Sequence, residues 1–296
     1  MATLNLRRAE NVNGDFYVDT TCIDCDTCRW MAPNVFTRKA GMSAVHHQPN
    51  QEERLAALQA LLSCPTASIG TVDKPQDIKT AQSSFPILVE ENVYHCGYHS
   101  EKSYGASSYF IQLPEGNILV DSPRFTPPLV KRLEKMGGIR YIYLTHRDDV
   151  ADHQKFAEHF GCEQPHGCAE RILHELEINS STRDVEIHLS GKEPFNLTSE
   201  LLVIPVPGHT EGHTVLLYKN KFLFTGDHLA WSDTLKQLVA FRNFCWYSWD
   251  ELKKSMPKLT NYSFEWVLPG HGRRYHADRE TMQQQLKKCI DWMETV

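Results

Sequence analysis

The sequence predicts an α/β protein in which a small cysteine-bearing α+β domain precedes a larger domain of alternating strands and helices. The chain has 296 residues, 41% of them hydrophobic, which is enough for two domains with cores of their own. From about residue 85 onward, apolar runs of strand length alternate with segments of helical spacing. We therefore expect a first domain over 1–75, a polar linker over 76–84 and a second domain over 85–296.

The expected helices and strands follow from the spacing of apolar residues along the chain. In the first domain, QEERLAALQALLS at 51–63 has the helical period and leads directly into Cys64. In the second domain, strands are expected at 86–93, 107–113, 117–120, 141–144, 201–206, 221–224 and 264–268. Helices are expected there at 127–136, 151–160, 168–176, 248–256 and 279–295.

Four of the nine cysteines in the chain have a spacing that indicates a metal site. Cys22, Cys25 and Cys28 are each separated by two residues, and Cys64 followed by proline lies far downstream. Thiolates in this order are typical of iron–sulfur ligation. A two-cluster ferredoxin would carry a further cysteine where this chain has Ala32, so the pattern predicts one [4Fe-4S] cluster. Zinc is the competing metal for these thiolates, although structural zinc sites usually have two separated cysteine pairs.

Segment 16–72 thus resembles a single-cluster bacterial-type ferredoxin. The other cysteines lack ligand spacing and are expected to be free thiols: Cys96, Cys162, Cys168, Cys245 and Cys289. The odd total argues against a disulfide framework, and residues 1–14 are polar without the apolar core of a secretory signal. We therefore expect a cytoplasmic protein.

Charge and hydropathy exclude some classes of partner. With 31 basic and 37 acidic residues the net charge is −6, which gives no general attraction to nucleic acid or acidic membranes. No apolar run approaches the roughly 18 residues of a membrane span. A small-molecule substrate is the expected partner, a redox partner stays open, and the sequence does not determine the oligomeric state.

Four loops of the second domain carry histidine and aspartate, each after an apolar run of strand type. They read THRDDVADH at 145–153, PGHTEGH at 207–213, TGDH at 225–228 and PGHG at 269–272. Loops at the ends of strands can hold a metal rigidly. Imidazole and carboxylate ligands suit zinc, iron or manganese, and an aspartate between histidines can bridge two ions. The sequence therefore predicts one or two divalent ions with hydrolytic or oxidative chemistry.

These motifs, with the early segment SSYFIQLPEGNILVDSP, resemble the metallo-β-lactamase superfamily over about residues 85–296. The resemblance implies an αββα sandwich with the metals at one edge. It also implies that Asp227 bridges the metals and that Asp152 orients the nucleophile. The metal ligands implied by the resemblance are His146, Asp152, His153, His209, Asp227 and His271.

The first of the four loops departs from the HxHxDH pattern of that superfamily. Two extra residues precede Asp152, and Asp148 stands where the second histidine would be. Asp148 is either a metal ligand, as a carboxylate is in some redox members, or the N-cap of the following helix. A carboxylate ligand would shift the preference toward harder metal ions.

Two enzyme classes are compatible with this combination of motifs. The favoured class is a hydrolase in which a metal-activated hydroxide attacks an ester, thioester or lactone. The alternative is a non-haem iron enzyme that reduces oxygen, nitric oxide or a sulfur substrate with electrons from the cluster. The cluster could also serve structure or sensing only. The aromatic-rich stretch 231–249 is either one wall of the substrate pocket or a packing segment.

Overall fold

The computed structural model describes residues 2–161 and 169–296, which divide into two compact units. The first unit contains the chain up to Arg140 and the segment that begins at Ala151. The second unit contains Tyr141–Val150 and the described chain from residue 169 to the end. The predicted domain boundaries, at 75 and 85, differ from this division and stay a prediction.

The cysteine-bearing part of the first unit is a small α+β arrangement. Its elements are β1 (Phe16–Val18), α1 (Thr27–Met31), β2 (Phe36–Lys39), β3 (Met42–Val45), α2 (Arg54–Ser63) and β4 (Ile69–Thr71). Strand β1 pairs with β4 and β2 with β3, both antiparallel. Their apolar side chains, among them Phe16, Val35 and Leu58, form one buried cluster. This core fixes the ends of the loops that carry the cysteines.

The rest of the first unit is an antiparallel series of strands with three helices. Its elements are α3 (Ile78–Ser83), β5 (Ile87–Glu90), β6 (Val93–His95), β7 (Tyr109–Ile111), β8 (Ile118–Val120), α4 (Pro127–Lys135) and α5 (His153–His159). Strands β5 to β8 pair in chain order. Helix α3 lies within the stretch 76–84 that the sequence analysis treats as a polar linker.

The second unit contains two groups of strands. Strands β9 (Tyr141–Tyr143), β10 (Glu170–His174) and β11 (Ile187–Leu189) pair in parallel. The other group consists of β12 (Phe195–Asn196), β13 (Leu201–Pro205), β14 (Thr214–Tyr218), β15 (Phe222–Gly226), β16 (Ala230–Ser232), β17 (Gln237–Val239), β18 (Trp266–Pro269) and β19 (Tyr275–His276). Six of these form a sheet in the order β12-β13-β14-β15-β18-β19, while β16 pairs with β17. Helices α6 (Trp249–Ser255) and α7 (Arg279–Met293) complete the unit.

The register of this sheet brings three ligand loops to one edge. Strands β13, β14 and β15 are successively antiparallel, and β15 runs parallel to β18. The β13–β14 loop and the carboxyl ends of β15 and β18 therefore meet. Gly226 ends β15 with φ +47, and a Cβ there would meet the side chains of Thr145 and His213, so this close approach requires glycine.

Most predicted elements are present, with ends shifted by a few residues. The helix predicted at 168–176 is wrong over the described residues, because β10 occupies Glu170–His174 and residue 168 lies outside the described range. This stretch is buried between two parallel strands, and a short apolar run of that kind has no distinctive period. Within the described ranges, no helix is both long and apolar enough to cross a membrane.

Candidate metal centre and cysteine site

Two groups of potential ligands lie at this edge of the second unit and share His146. His146, Asp148 and His209 form one group, and His146, Asp149 and Asp227 form the other. Within each group the ligand atoms lie within 4.8 Å of one another. All of these side chains are buried except that of Asp148, which is 43% exposed. The centre is thus enclosed on most sides and open beside Asp148.

One carboxylate oxygen of Asp227 faces the imidazoles of His146 and His209. Its Oδ2 lies 3.9 Å from Nε2 of His146 and 3.6 Å from Nε2 of His209. Oδ2 of Asp148 lies 4.0 Å and 3.4 Å from the same two nitrogens. These separations leave room for an ion between the side chains.

His271 lies on the other side of Asp227. Its Nδ1 is 2.8 Å from Oδ1 and 2.9 Å from Oδ2 of Asp227, and its backbone N–H also donates to Oδ1 at 3.2 Å. Asp149 Oδ1 is 3.9 Å from the same Nδ1. A Cβ at Gly270 would collide with the carboxylate of Asp149, so the PGHG loop needs a glycine to approach this closely.

Burial sets the protonation states of the ring nitrogens. It lowers the pKa of His146 to about 4, although Asp227 opposes the shift, and it lowers the pKa of His228 to about 3. Burial together with His146, His209 and His228 holds the pKa of His213 well below its usual range. For Asp227, burial raises the pKa, but His271, His146 and His209 lower it by more, so the pKa lies below its usual range. At neutral pH His146, His213 and His228 are therefore neutral and Asp227 is ionised, and a neutral imidazole and an ionised carboxylate are the forms that bind metal.

The first loop differs in detail from the sequence interpretation. Helix α5 begins at His153 with Asp152 as its N-cap residue, so the alternative N-cap role of Asp148 is wrong. Asp149 joins the ligand groups but was given no role from the sequence. The signal was present in the adjacent acidic pair Asp148-Asp149, which follows His146 within three residues.

Asp152 and His153, predicted as ligands, lie in the first unit. Asp152 Oδ1 is 2.8 Å from Lys102 Nζ and 3.1 Å from Lys155 Nζ, while its Oδ2 accepts from the backbone N–H of Phe125 at 3.0 Å. Burial raises the pKa of Asp152, but these partners lower it more. Their ligand roles stay a prediction.

His213 and His228 are the last residues of two ligand loops and are fully buried. Nε2 of His213 accepts the backbone N–H of Asp227 at 3.2 Å, and its ring stacks on that of His146 at 4.8 Å. His213 therefore orients Asp227 and supports His146 from behind.

The donor set fits a divalent metal. Nε2 of His146 is buried and makes no hydrogen bond within the described residues, although a polar atom in such a position normally has a partner. Together with the ionised carboxylates beside it, this nitrogen forms a set suited to zinc, iron or manganese.

Cys22, Cys25, Cys28 and Cys64 line one cavity of the first unit, together with Ser43 and Ser68 among others. Ser68 N–H donates to Sγ of Cys64 at 3.2 Å, and Sγ of Cys28 lies 3.2 Å from Oγ of Ser43. None of the four forms a disulfide.

Burial raises the pKa of the Cys25 thiol to about 11 and that of Cys28 well above its usual range. Burial also raises the pKa of the Cys64 thiol. Buried thiolates gathered this closely need a compensating positive charge, and the iron ions of a cluster supply it. The cavity therefore fits the predicted cluster. Cys96, Cys245 and Cys289 are free thiols as expected, whereas Cys162 and Cys168 lie outside the described residues.

Comparisons with known proteins agree with both halves of this description. The family model described as "4Fe-4S single cluster domain of Ferredoxin I" matches residues 18–71. An uncharacterized protein of Bacillus subtilis, YobT, is 26% identical over 216 residues, which cover 63% of this chain and 91% of that protein.

Solved metallo-β-lactamases are similar in structure. The enzyme from Hirschia baltica has a TM-score of 0.52 at 15% identity and covers 69% of this chain and 96% of its own. The mono-zinc form of FIM-1 from Pseudomonas aeruginosa has a TM-score of 0.51 at 14% identity, and the match covers 69% of this chain and 93% of FIM-1. The predicted fold class, an αββα metallo-β-lactamase sandwich after a small ferredoxin-like region, is confirmed. The family-model match at residues 18–71 confirms the predicted single-cluster ferredoxin-like region.

Proposed function

We propose that the protein is a metal-dependent hydrolase that cleaves an ester, thioester or lactone. The observation that supports this most is the pair of ligand groups that share His146 at the sheet edge of a metallo-β-lactamase fold. Relatives in fold carry names that denote hydrolysis, and one is described as a mono-zinc form. Divalent metals bound at such a centre lower the pKa of water to about 7 and polarise a carbonyl oxygen.

The side chains of the chain itself have distinct tasks in this reaction. His146, His209, His271, Asp148, Asp149 and Asp227 would hold one or two ions. The neutral imidazole of His146 presents a lone pair, and the side of the centre beside the half-exposed Asp148 admits substrate. Asp152, predicted to orient the nucleophile, keeps that role only as a prediction.

The direct test loads anaerobically purified full-length protein with zinc, iron or manganese and offers matched esters, thioesters and lactones. We expect turnover of at least one class with one of these metals and none after chelation. Bound metal without turnover of any class would overturn the hydrolase proposal.

A redox function is the second candidate, and one observation favours it. His146, Asp148 and His209 are two imidazoles and one carboxylate, a set typical of non-haem iron, and the same chain carries a four-thiol cluster site. In this case the cluster would supply electrons to an iron centre that acts on oxygen, nitric oxide or a sulfur substrate. We place either activity in the cytoplasm, where thiols stay reduced.

Element-resolved metal analysis separates the two candidates. Iron in the centre, with reoxidation of the reduced cluster on addition of oxygen or nitric oxide, would support the redox enzyme. Zinc in the centre with thioester turnover, and a cluster whose oxidation state does not affect that turnover, would exclude it.

A further inference from the structure

We propose that Glu177 is a positioning residue that sets the separation of two of the ligand loops of the metal centre, 145–153 and 207–213. Its side chain is fully buried at the end of the 3-10 turn Glu175–Glu177 in the second unit. Each of its two carboxylate oxygens accepts a backbone N–H from a different loop. One rigid group thus contacts both loops.

The two N–H groups belong to residues that directly neighbour ligands. Oε2 accepts from Arg147 at 3.0 Å, and Arg147 stands between His146 and Asp148. Oε1 accepts from Gly212 at 2.6 Å, in the loop that carries His209 and ends at His213. Because the two oxygens are fixed relative to each other, the bonds fix the distance between the loops. Hydrogen bonds to an ionised acceptor are short and strong.

The chain is built to allow this contact. A Cβ at Gly212 would lie 3.0 Å from Cγ and Oε1 of Glu177 and 2.8 Å from Nδ1 of His174, so no larger residue fits without displacing one of them. The turn itself is held by Thr182, whose hydroxyl donates to the Glu177 carbonyl at 3.0 Å. His174 supports it too, since Nδ1 accepts from Leu176 N–H at 3.3 Å while Nε2 lies 3.0 Å from the Gly191 carbonyl.

One cation near Glu177 is the guanidinium of Arg147, whose Nε lies 3.9 Å from Oε2 on a side chain that is 37% exposed. A buried carboxylate in this position is costly unless backbone N–H groups satisfy it. A carboxylate accepts both of these N–H bonds, whereas an amide could accept only one of them, which indicates a role in holding both loops.

Glu177→Gln tests this role with little change in shape. The amide retains one acceptor oxygen and loses the other, so one loop is released. We expect the affinity for zinc or cobalt at the centre to fall by about 10–100-fold, as is usual when an outer contact of a ligand is lost. The visible spectrum of the cobalt-substituted protein should change as well. Glu175→Gln, on the same turn but exposed, is the matched control and should leave both unchanged.

Gly212→Ala provides a second, independent variant. This variant keeps the carboxylate of Glu177, but the added methyl group displaces it from the backbone N–H of residue 212. Metal binding should therefore weaken as well. Cluster absorbance should stay intact in every variant, because the cysteine site lies in the first unit. Unchanged metal affinity and cobalt spectrum in folded protein of either variant would overturn the proposal, even if thermal stability fell. Because metal binding is measured without substrate, failure of the hydrolase proposal would not affect this result.

Discussion

The imidazole of His271 lies 2.8 and 2.9 Å from the two carboxylate oxygens of Asp227, and Oδ2 of the same aspartate faces His146 and His209. Asp227 therefore stands at the middle of the centre, in contact with or near three imidazoles. Its parallel strand neighbour β18 brings His271 to it, so the contact follows from the register of the sheet.

Asp227→Ala should remove the metal of the second unit and abolish activity, because the variant loses the carboxylate that faces all three histidines. Inductively coupled plasma analysis of the purified variant should show iron of the cluster only. Asp184→Ala, at an aspartate 72% exposed, is the control and should keep the full metal content. Full metal content in Asp227→Ala would refute the ligand role.

Asp149→Asn should stabilise the metal-free protein and destabilise the metal-loaded one. Asp149 and Asp227 are both buried, with oxygens within 4.8 Å, and two such charges repel by about 3 kcal/mol at an effective dielectric of about 20. A bound cation reverses the sign of this interaction. The melting temperature of Asp149→Asn should therefore exceed that of the parent protein after chelation and fall below it with metal.

Asp148→Asn is the matched comparison for that experiment. Because Asp148 is half-exposed, the metal-free protein should gain little stability, while metal affinity should still fall. Equal effects of the two substitutions on the metal-free protein would contradict the view that burial distinguishes these neighbouring carboxylates.

The metal-free protein should lose stability between pH 7 and pH 5. Burial lowers the pKa of His146 to about 4 and of His228 to about 3, so the unfolded chain binds protons near pH 6.5 while the folded chain does not. The contribution of these neutral buried histidines to the free energy of unfolding is fully present above pH 6.5. It is lost as the pH falls toward the pKa of each histidine in the folded chain. Each such histidine contributes up to about 1.4 kcal/mol per pH unit.

His228→Gln should reduce the slope of the free energy of unfolding against pH by the contribution of one histidine, up to about 1.4 kcal/mol per pH unit. Urea unfolding in the presence of chelator measures this slope. His188→Gln changes an exposed histidine and should leave the slope as it is. If His228→Gln has the slope of the parent protein, His228 binds protons equally in the folded and unfolded chains, and burial does not lower its pKa.

Candidate ligands could be predicted from the sequence wherever they lie in contiguous motifs. His209, Asp227 and His271 each follow a strand directly, and a strand end in a sheet of known order fixes where a side chain lies. The same holds for Cys22, Cys25 and Cys28 in their tight loop. Alternating apolar runs predicted the α/β class, whereas the αββα sandwich was implied by the resemblance of the motifs.

Contacts between distant parts of the chain were not predictable in this way. Glu177 contacts residues 30 and 35 positions away, and an isolated glutamate in the sequence has no pattern to mark it. Asp149 has no counterpart in the family pattern, in which Asp152-His153 is the Asp-His pair, so no role for Asp149 follows from the sequence. The stretch at 170–174 was misread as helix because its environment, parallel strands on both sides, decides its conformation.

Cys25→Ala should bleach the visible absorption of the cluster without removing the metal of the second unit. Cys25 is one of four thiols around a single cavity, and three thiolates leave one iron without its ligand. Cys289→Ala removes a buried free thiol of helix α7 and should leave the spectrum unchanged. A colourless parent protein, even after anaerobic reconstitution with iron and sulfide, would favour zinc at the four thiols instead.

Trp246→Ala should weaken the binding of substrates with long or aromatic acyl groups, if the proposed hydrolase function holds. The backbone N–H groups of Trp246 and Tyr247 donate to the carbonyl of His209 at 2.9 and 3.0 Å, which fixes the loop beside a ligand. The Trp246 ring nevertheless stays 60% exposed, 6.3 Å from the His209 ring and 6.1 Å from that of Phe244. Large aromatic side chains held in solvent beside a metal centre are suited to contact an apolar part of the substrate.

We expect KM for a long-chain or aryl ester to rise about 10-fold in Trp246→Ala, since an aromatic contact contributes about 1–1.5 kcal/mol. The kcat should stay similar, because the ring contacts the acyl group equally before and during the reaction. An acetyl ester does not reach the ring, so its KM should be unchanged. Leu88→Ala, at a residue 55% exposed on β5, controls for loss of surface apolar area. Equal changes in KM for the short and the long ester would place the acyl group elsewhere and leave the aromatic stretch as a packing segment.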